Sequence, residues 1–151
     1  MNKWNKFLTE GESKTVGIVA CLNDKQQFLA LRRSDIDDRE GEWTLPGGHV
    51  DDKDGSIEAG AVRELKEEAG LTCEVSDLVY LGEPKPEKHY FLTQKWTGGV
   101  NVDRPNPETG EIEHDDWKWA TIDEIKELDN SKIPNYLLEK ALEIAKNEDN
   151  S

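Results

Sequence analysis

Residues 47–71, GGHVDDKDGSIEAGAVRELKEEAGL, decide how this chain folds and point to its chemistry. If the second half of this stretch is helical, each residue advances by about 100°, so Glu64, Glu67 and Glu68 fall on one stripe. Like charges at these spacings repel one another by roughly a few tenths of a kcal/mol per pair. A bound divalent cation would turn that repulsion into attraction, because hard cations prefer carboxylate oxygens. The stripe therefore indicates a metal site on a helix.

The same stretch carries the signals of a helix that packs against a core. Val62, Leu65 and Ala69 share a second stripe, which can face apolar partners. Ser56 is a residue type that caps helix N-termini, and Gly70 suits the position just past a helix C-terminus. We therefore predict a capped helix between Ser56 and Gly70, with one apolar side and one acidic side.

The sequence of residues 63–71, RELKEEAGL, resembles the second half of the Nudix box, the signature of Nudix (MutT-like) hydrolases. That box reads Gly, five residues, Glu, seven residues, then Arg-Glu-apolar-x-Glu-Glu-x-Gly-apolar. Here Gly48, five residues and Asp54 match the first half, with Asp in place of Glu. Eight residues rather than seven then precede Arg63, and we expect the loop before Ser56 to absorb the extra residue.

This resemblance implies an α/β fold, the Nudix αβα sandwich with a mixed β-sheet between helices. It implies one domain over residues 1–151, with flexible ends at 1–12 and 147–151. It also implies hydrolysis of the diphosphate linkage in a nucleoside diphosphate joined to another group. Such hydrolysis depends on Mg²⁺, with Mn²⁺ as a substitute, because phosphoryl transfer needs positioned ions that neutralise charge.

The resemblance also assigns roles to individual residues. The implied metal ligands are Gly48, through its carbonyl, and the carboxylates of Glu64, Glu67 and Glu68. Arg63 is expected to orient a carboxylate, since its guanidinium stays charged and donates as a fork. The implied catalytic set comprises Arg63, Glu64, Glu67, Glu111 and Glu113.

Two further sets of residues are left open by the resemblance. The general base is either a glutamate of the box or one from the later loop, where Glu111 and Glu113 precede Trp117. Candidate substrate contacts are His49, Asp54 and Tyr90. If residues 89–97 form a strand, Tyr90 and Phe91 point to opposite faces, so only one of them can reach a pocket.

Apolar runs on both sides of the helix predict strands. Residues 15–22 and 28–32 are expected to pair as a hairpin, and a short strand at 43–45 is expected to end at Pro46-Gly47-Gly48. Further strands are predicted at 73–81, 89–97 and 117–120, with a rigid exposed connection at 83–87 and a long loop at 98–113. Residues 121–124 have the capping-box spacing of a short helix, and Pro134 fits the first turn of a last one.

Composition narrows the choice of partners. The chain has 151 residues and a formal net charge of −14, which repels nucleic acid polymers and anionic membranes. An anionic nucleotide is admitted only where cations reverse the local field. No stretch approaches the roughly 20 apolar residues of a membrane span, so a cytoplasmic location is expected. A small nucleotide is the expected partner, and homodimerisation is possible in this family.

Two substrate classes compete. Pro86 lies 15 residues beyond Leu71, close to the spacing in family members that cleave ADP-ribose. Residues 43–49 and 106–119 instead resemble members that act on nucleoside triphosphates. On balance the sequence favours a (d)NTP pyrophosphatase, with ADP-ribose or a dinucleoside polyphosphate as the alternative substrate.

Two other classes of protein share the fold. A catalytically silent Nudix binding module would not need every helix carboxylate, and all of them are present. Isopentenyl-diphosphate isomerase would need a reactive cysteine near the pocket. Cys21 lies in an apolar run and Cys73 has no partner motif, so buried thiols are expected rather than a catalytic cysteine, a disulfide or a zinc site.

Overall fold

The computed structural model describes residues 14–149. Within that range the chain forms seven strands and three α-helices. The strands are β1 (Val16–Cys21), β2 (Phe28–Arg33), β3 (Trp43–Thr44), β4 (Gly47–His49), β5 (Val79–Lys85), β6 (Lys88–Thr93) and β7 (His114–Ala120). The helices are α1 (Ile57–Ala69), α2 (Ile122–Lys126) and α3 (Asn135–Asp149). The predicted flexible end at 1–12 lies outside the described residues, whereas 147–149 belong to α3.

The strands form two sheets. The first has the order β4-β1-β6-β5, in which β1 and β6 run parallel and the other pairs run antiparallel. The second is antiparallel, with the order β3-β2-β7. The predicted α/β class with a mixed sheet between helices is confirmed, although the strands divide into two sheets rather than one.

Two apolar layers cover the mixed sheet. On one side, Ala61, Leu65 and Ala69 of α1 are fully buried, in a cluster with residues of β1, β2 and β6. On the other side, Leu138 and Ala141 of α3 are fully buried in a second cluster. Since α1 and α3 thus cover opposite faces, the sheet holds α1 rigidly and directs its acidic side away from the core. No helix within residues 14–149 is long and apolar enough to cross a membrane.

The predicted hairpin of the first two strands is wrong. β1 and β2 lie in different sheets, and within residues 14–149 the only backbone bridge between the two apolar runs joins Leu22 to Phe28. Each strand is already flanked on both sides, β1 by β4 and β6, and β2 by β3 and β7. A turn signal between two apolar runs therefore marked a crossing from one sheet to the other.

Several predicted strand limits also differ from the structure. Residues 83–85, expected in an exposed connection, continue β5, and a 3₁₀ turn at Val75–Asp77 replaces the predicted start of that strand. Pro84 is tolerated because β5 is an edge strand. Gly47 and Gly48 do not end a strand but form β4 with His49, paired to residues 16–18. β7 begins at His114, three residues before the predicted start at Trp117.

Candidate functional site

Helix α1 presents its acidic side to a large cleft. The predicted caps are present: the Ser56 hydroxyl accepts a hydrogen bond from the Ala59 amide at 3.0 Å, and Gly70 adopts a φ of 78°. Glu64, Glu67 and Glu68 all line the cleft, whose volume is about 1980 Å³. The structure thus brings the predicted stripe together on one wall of a space large enough for a nucleotide.

Arg63 connects the carboxylates on this wall. Its Nε and Nη2 donate to the two oxygens of Asp54 at 2.8 and 3.0 Å. Its Nη1 donates to Glu64 at 3.2 Å and to Glu67 at 3.1 Å, and Nη2 also donates to the carbonyl of His49 at 3.0 Å. The hydrogen bond with Asp54, above all, raises the pKa of Arg63, so the guanidinium stays charged. One side chain therefore fixes the positions of three acids and a backbone segment.

The extra residue of the loop is absorbed close to Asp54. Residues Asp52–Asp54 form a 3₁₀ turn closed by Gly55, which has a φ of 81°. Asp54 also accepts a hydrogen bond from the amide of Asp51 at 2.8 Å, and its side chain is only 8% exposed. Hydrogen bonding from Arg63 lowers the pKa of Asp54. The shorter acid thus takes the place facing Arg63 despite the longer loop.

The paired glycines allow the backbone of β4 to approach the carboxylates. The Gly47 amide donates to Glu68 Oε1 at 2.9 Å. At Gly48, an added Cβ would lie 2.5 Å from Glu64 Cδ, so any side chain there would displace that carboxylate. Burial raises the pKa of Glu64 to about 7 and the pKa of Glu68 well above its ordinary range. Clustered, desolvated carboxylates beside a backbone strand fit a hard divalent cation, which would supply the missing positive charge.

The later loop contributes Glu113 to the cleft but not Glu111. Glu113 lines the cleft next to Glu68 of α1, whereas Glu111 is exposed and is not among the lining residues. Asn106 Nδ2 donates to Glu113 Oε2 at 2.6 Å, and Arg33 Nη1 lies 3.6 Å from Glu113 Oε1. Both oxygens of this carboxylate are therefore held by side chains from other parts of the chain.

His114 is a site residue that the sequence reasoning missed. It is 4% exposed and lines the cleft beside Glu113. Ligand atoms of His114, Glu113 and Glu68 all lie within 4.8 Å of one another. Burial, reinforced by the charge of Arg33, lowers the pKa of His114 to about 4, so the ring is neutral near pH 7. The sequence feature that could have indicated His114 is its position directly after Glu113, a candidate catalytic residue.

The floor of the cleft is the face of the mixed sheet that β4, β1 and β6 share. The register aligns His49 with Val16, Val16 with Lys88, and Lys88 with Lys85. Tyr90, two residues beyond Lys88, also lines the cleft and is 9% exposed. Phe91 points to the opposite face, into the α1 cluster, so of the two aromatic residues Tyr90 is the one at the cleft.

Five lysines line the same cleft, although the chain as a whole is strongly acidic. None of them forms an ion pair with a carboxylate within the described part of the chain. They are Lys14, Lys53, Lys85, Lys88 and Lys132. Such a concentration of free ammonium groups favours a ligand that carries several negative charges.

The remaining aromatic and sulfur-containing candidates lie outside the chemistry of the cleft. Trp43 is 7% exposed in the core, and Trp119 stacks on Trp96 with ring centroids 5.5 Å apart. Cys21 and Cys73 are both buried, free and absent from the cleft lining. No cysteine is therefore placed for the isomerase chemistry considered above.

Comparison with known proteins gives one family and several named relatives. The NUDIX domain family model matches residues 12–140. A bis(5'-nucleosyl)-tetraphosphatase [asymmetrical] of Caenorhabditis elegans is 32% identical over 137 residues, covering 82% of this chain and 91% of that protein. An RNA pyrophosphohydrolase of Bartonella tribocorum is 29% identical over 139 residues, covering 76% of this chain and 79% of that protein.

A further relative and two solved structures complete the comparison. A putative 8-oxo-dGTP diphosphatase of Bacillus subtilis is 40% identical over 77 residues, covering 49% of this chain and 48% of that protein. A C. elegans Ap4A hydrolase binary complex superposes with a TM-score of 0.60 and 23% identity, over 88% of this chain and 99% of that one. A MutT protein of Methanosarcina mazei gives a TM-score of 0.57 and 22% identity, over 91% of this chain and 98% of that one. At these identities the two structures show a shared fold.

Proposed function

Because the chain belongs to the NUDIX domain family, we propose that it hydrolyses a dinucleoside polyphosphate with the help of bound divalent cations. The reaction class follows from the family: the chain is a hydrolase of phosphoric anhydrides that acts on nucleotide diphosphate derivatives. The choice of a dinucleoside polyphosphate within that class is the proposal. It is supported by a relative named for that activity, which the chain matches over most of its length.

The observation that carries the proposal is the position of Lys85 and Lys88. The strand register places these two lysines, the lysine row, in line with Val16 and His49 across the sheet. The His49 carbonyl accepts a hydrogen bond from Arg63, beside the carboxylates. Neighbouring strands are about 4.8 Å apart, so Lys85 stands roughly 14 Å across the sheet from His49. In a mononucleotide all phosphates would stay at the carboxylates. A polyphosphate that bridges two nucleosides would instead place negative charge at both ends of the row.

The proposed roles of the acidic residues follow their positions. The carbonyl of Gly48 and the carboxylates of Glu64, Glu67 and Glu68 would hold the cations. Bound divalent cations would activate the attacking water and neutralise the phosphate oxygens. Arg63 keeps Glu64 and Glu67 in place through its Nη1.

Glu64 is also the proposed general base. Its Oε2 accepts a hydrogen bond from Arg63, while its Oε1 accepts none among residues 14–149. A general base must have an oxygen within reach of the proton that it takes, and Glu64 lines the cleft. In this account Oε1 takes the proton of the attacking water. Glu113 supports the site from the loop side, and Glu111 has no proposed role.

The three candidate substrate contacts from the sequence have different proposed roles. His49, exposed at the cleft, would face a phosphate, and Asp54 acts through Arg63 rather than on the substrate. Tyr90 would contact a base from the cleft floor. Its aromatic ring and its burial, two residues from Lys88 on β6, suit the nucleoside rather than the phosphate chain.

A (d)NTP pyrophosphatase is the second candidate. It is favoured by residues 43–49 and by the relative named as a putative 8-oxo-dGTP diphosphatase, which matches about half of the chain. This function would leave the lysine row without phosphates to bind. ADP-ribose carries only one diphosphate, so it too would leave the lysine row without phosphates to bind.

The test compares substrates in the presence of Mg²⁺. We expect kcat/KM for diadenosine tetraphosphate to exceed the values for dATP, ADP-ribose and 5'-triphosphorylated RNA. The double variant Lys85→Ala/Lys88→Ala should lower kcat/KM for diadenosine tetraphosphate by about tenfold or more, with a smaller effect on dATP. Lys25→Ala/Lys95→Ala is the matched control, because both lysines are exposed and lie outside the cleft lining. A higher kcat/KM for dATP, with equal losses for both substrates, would favour the second candidate.

A further inference from the structure

We propose that Glu68, Glu113 and His114 bind a divalent ion of the first transition series, with an imidazole nitrogen of His114 as one ligand. This proposal deepens the proposed function and rests on it, because it adds a ligand of a different chemical type to the same cleft. The ligand atoms of the three residues lie within 4.8 Å of one another, which is close enough for all three to contact one ion.

The His114 side chain is buried and lines the cleft. It is 4% exposed, and its ring makes no hydrogen bond or ion pair within the part of the chain that the structure describes. The His114 ring nitrogens are not among the fully enclosed side-chain atoms of residues 14–149 that lack a hydrogen-bond partner, so they are open to the cleft. The ring lines the cleft beside two carboxylates, so a cation placed among them would lie within reach of an imidazole nitrogen.

A β-bulge in β7 places His114 at the cleft. In the pairing of β2 with β7, Arg32 is opposite Asp116 but Arg33 is opposite His114, so the register shifts at Asp115. A bulge of this kind redirects the neighbouring side chains, and bulges are frequent next to functional sites. Here Asp115 is exposed and pairs with Arg32, whereas His114 is buried at the cleft. In a regular pairing Asp115 would stand opposite Arg33, so the bulge is what gives that position to His114.

Glu113 is held in place by other side chains before any ligand binds. Asn106 and Arg33 engage its two oxygens at 2.6 and 3.6 Å. Glu68 is fixed from the other side by the Gly47 amide. Ligand side chains that bind metals are typically oriented by such supporting contacts.

The donor set indicates the class of ion. Mg²⁺ is a hard cation that takes oxygen ligands, as Glu64 and Glu67 would provide. An imidazole nitrogen with two carboxylates suits Mn²⁺, Co²⁺ or Zn²⁺ better than Mg²⁺. The cleft would therefore contain two kinds of ion position, one lined only by oxygen and one with a nitrogen donor.

The test is pulsed electron paramagnetic resonance of the full chain with Mn²⁺ alone, read for coupling between Mn²⁺ and a ¹⁴N nucleus. The chain has three histidines, so His114→Gln can be compared with His49→Gln at the cleft and with His89→Gln, whose ring contacts Tyr80. We expect nitrogen coupling in the wild type and in the two comparison variants, and its loss in His114→Gln. In calorimetry, His114→Gln should weaken Mn²⁺ binding by about tenfold or more and Mg²⁺ binding by much less.

Absence of nitrogen coupling in the wild type would overturn the proposal, and this result does not depend on any variant being folded. Coupling that persists in His114→Gln, or that disappears in His49→Gln, would overturn it too. The proposed function is tested separately, by hydrolysis of diadenosine tetraphosphate with Mg²⁺ alone. Nitrogen coupling without hydrolysis would leave the ion site standing and contradict the function, whereas hydrolysis without coupling would do the reverse.

Discussion

Arg63 donates hydrogen bonds to both oxygens of Asp54, at 2.8 and 3.0 Å. It does so although the loop before α1 is one residue longer than in the family pattern, and although Asp54 is one methylene shorter than the expected glutamate. The 3₁₀ turn at Asp52–Asp54 takes up the extra residue and turns the Asp54 carboxylate back toward the helix. Despite its departure from the motif, Asp54 thus forms an ion pair that orients Arg63.

Asp54→Asn should loosen this pair. An amide gives Arg63 only one acceptor oxygen and no charge, so Arg63 is less firmly held beside Glu64 and Glu67. We expect the free energy of unfolding to fall by about 1–2 kcal/mol and kcat to fall by about tenfold. Urea unfolding and steady-state kinetics measure the two effects. Asp52→Asn, a change at an exposed neighbour, is the control. Equal behaviour of the two variants would show that the ion pair has no role.

Gly48→Ala should remove cation binding without unfolding the chain. The new Cβ would meet Glu64 Cδ at 2.5 Å, so the carboxylate must move away from its place on the wall. We expect Mg²⁺ affinity, measured by calorimetry, to fall by about tenfold or more. Gly99→Ala is the control, because nothing lies within 4 Å of its added Cβ. Unchanged Mg²⁺ affinity in Gly48→Ala would mean that the ion binds elsewhere.

Asn106→Ala should release one oxygen of Glu113. The lost hydrogen bond, 2.6 Å long, holds the carboxylate over the cleft rather than contacting substrate. We therefore expect kcat to fall by roughly tenfold while KM changes little, because the effect is on the reacting geometry. Asn101→Ala, in the same loop but outside the cleft lining, should leave both constants unchanged. A rise in KM alone would instead make Asn106 a substrate contact.

His114 should make stability depend on pH when metals are removed by EDTA. Its pKa is lowered to about 4 in the folded chain, from an ordinary 6.5, because burial disfavours the charged ring. Below pH 6.5 the unfolded chain therefore binds a proton that the folded chain does not. The free energy of unfolding should fall by up to about 3 kcal/mol as the pH drops from 6.5 to 4, and no such loss should occur above pH 6.5.

Urea unfolding at a series of pH values measures this dependence. His114→Gln is the control, since the carboxylates titrate alike in both proteins and their contribution cancels in the difference. Relative to His114→Gln, the wild type should lose up to about 3 kcal/mol of unfolding free energy as the pH falls from 6.5 to 4. A constant gap between the two proteins over that range would show that His114 titrates with an ordinary pKa.

The parts of the structure that the sequence predicted are those controlled by local rules. Helix α1 follows from its period, from Ser56 at one end and from Gly70 at the other. The stripe of carboxylates then follows from helix geometry. The separation of Tyr90 from Phe91 follows from strand alternation in the same way.

The parts that could not be predicted depend on contacts distant along the chain. Whether β1 pairs with β2 is decided by competition from β4 and β6, which no local signal reveals. The site residue Arg33 acts on Glu113 from 80 positions away. His114 reaches the cleft through a bulge, and the lysine row exists only because the register aligns β5 and β6 with β1.

If the carboxylates of α1 hold the cations that assist hydrolysis, Mg²⁺-dependent turnover must be lost in Glu64→Gln and in Glu68→Gln. Glu58→Gln is the control, since Glu58 lies on the same helix outside the cleft lining. We predict that both cleft variants remain folded by circular dichroism and lose kcat by about a hundredfold or more, while Glu58→Gln turns over like the wild type. Near wild-type turnover of both cleft variants would show that these two carboxylates do not hold the cations needed for hydrolysis.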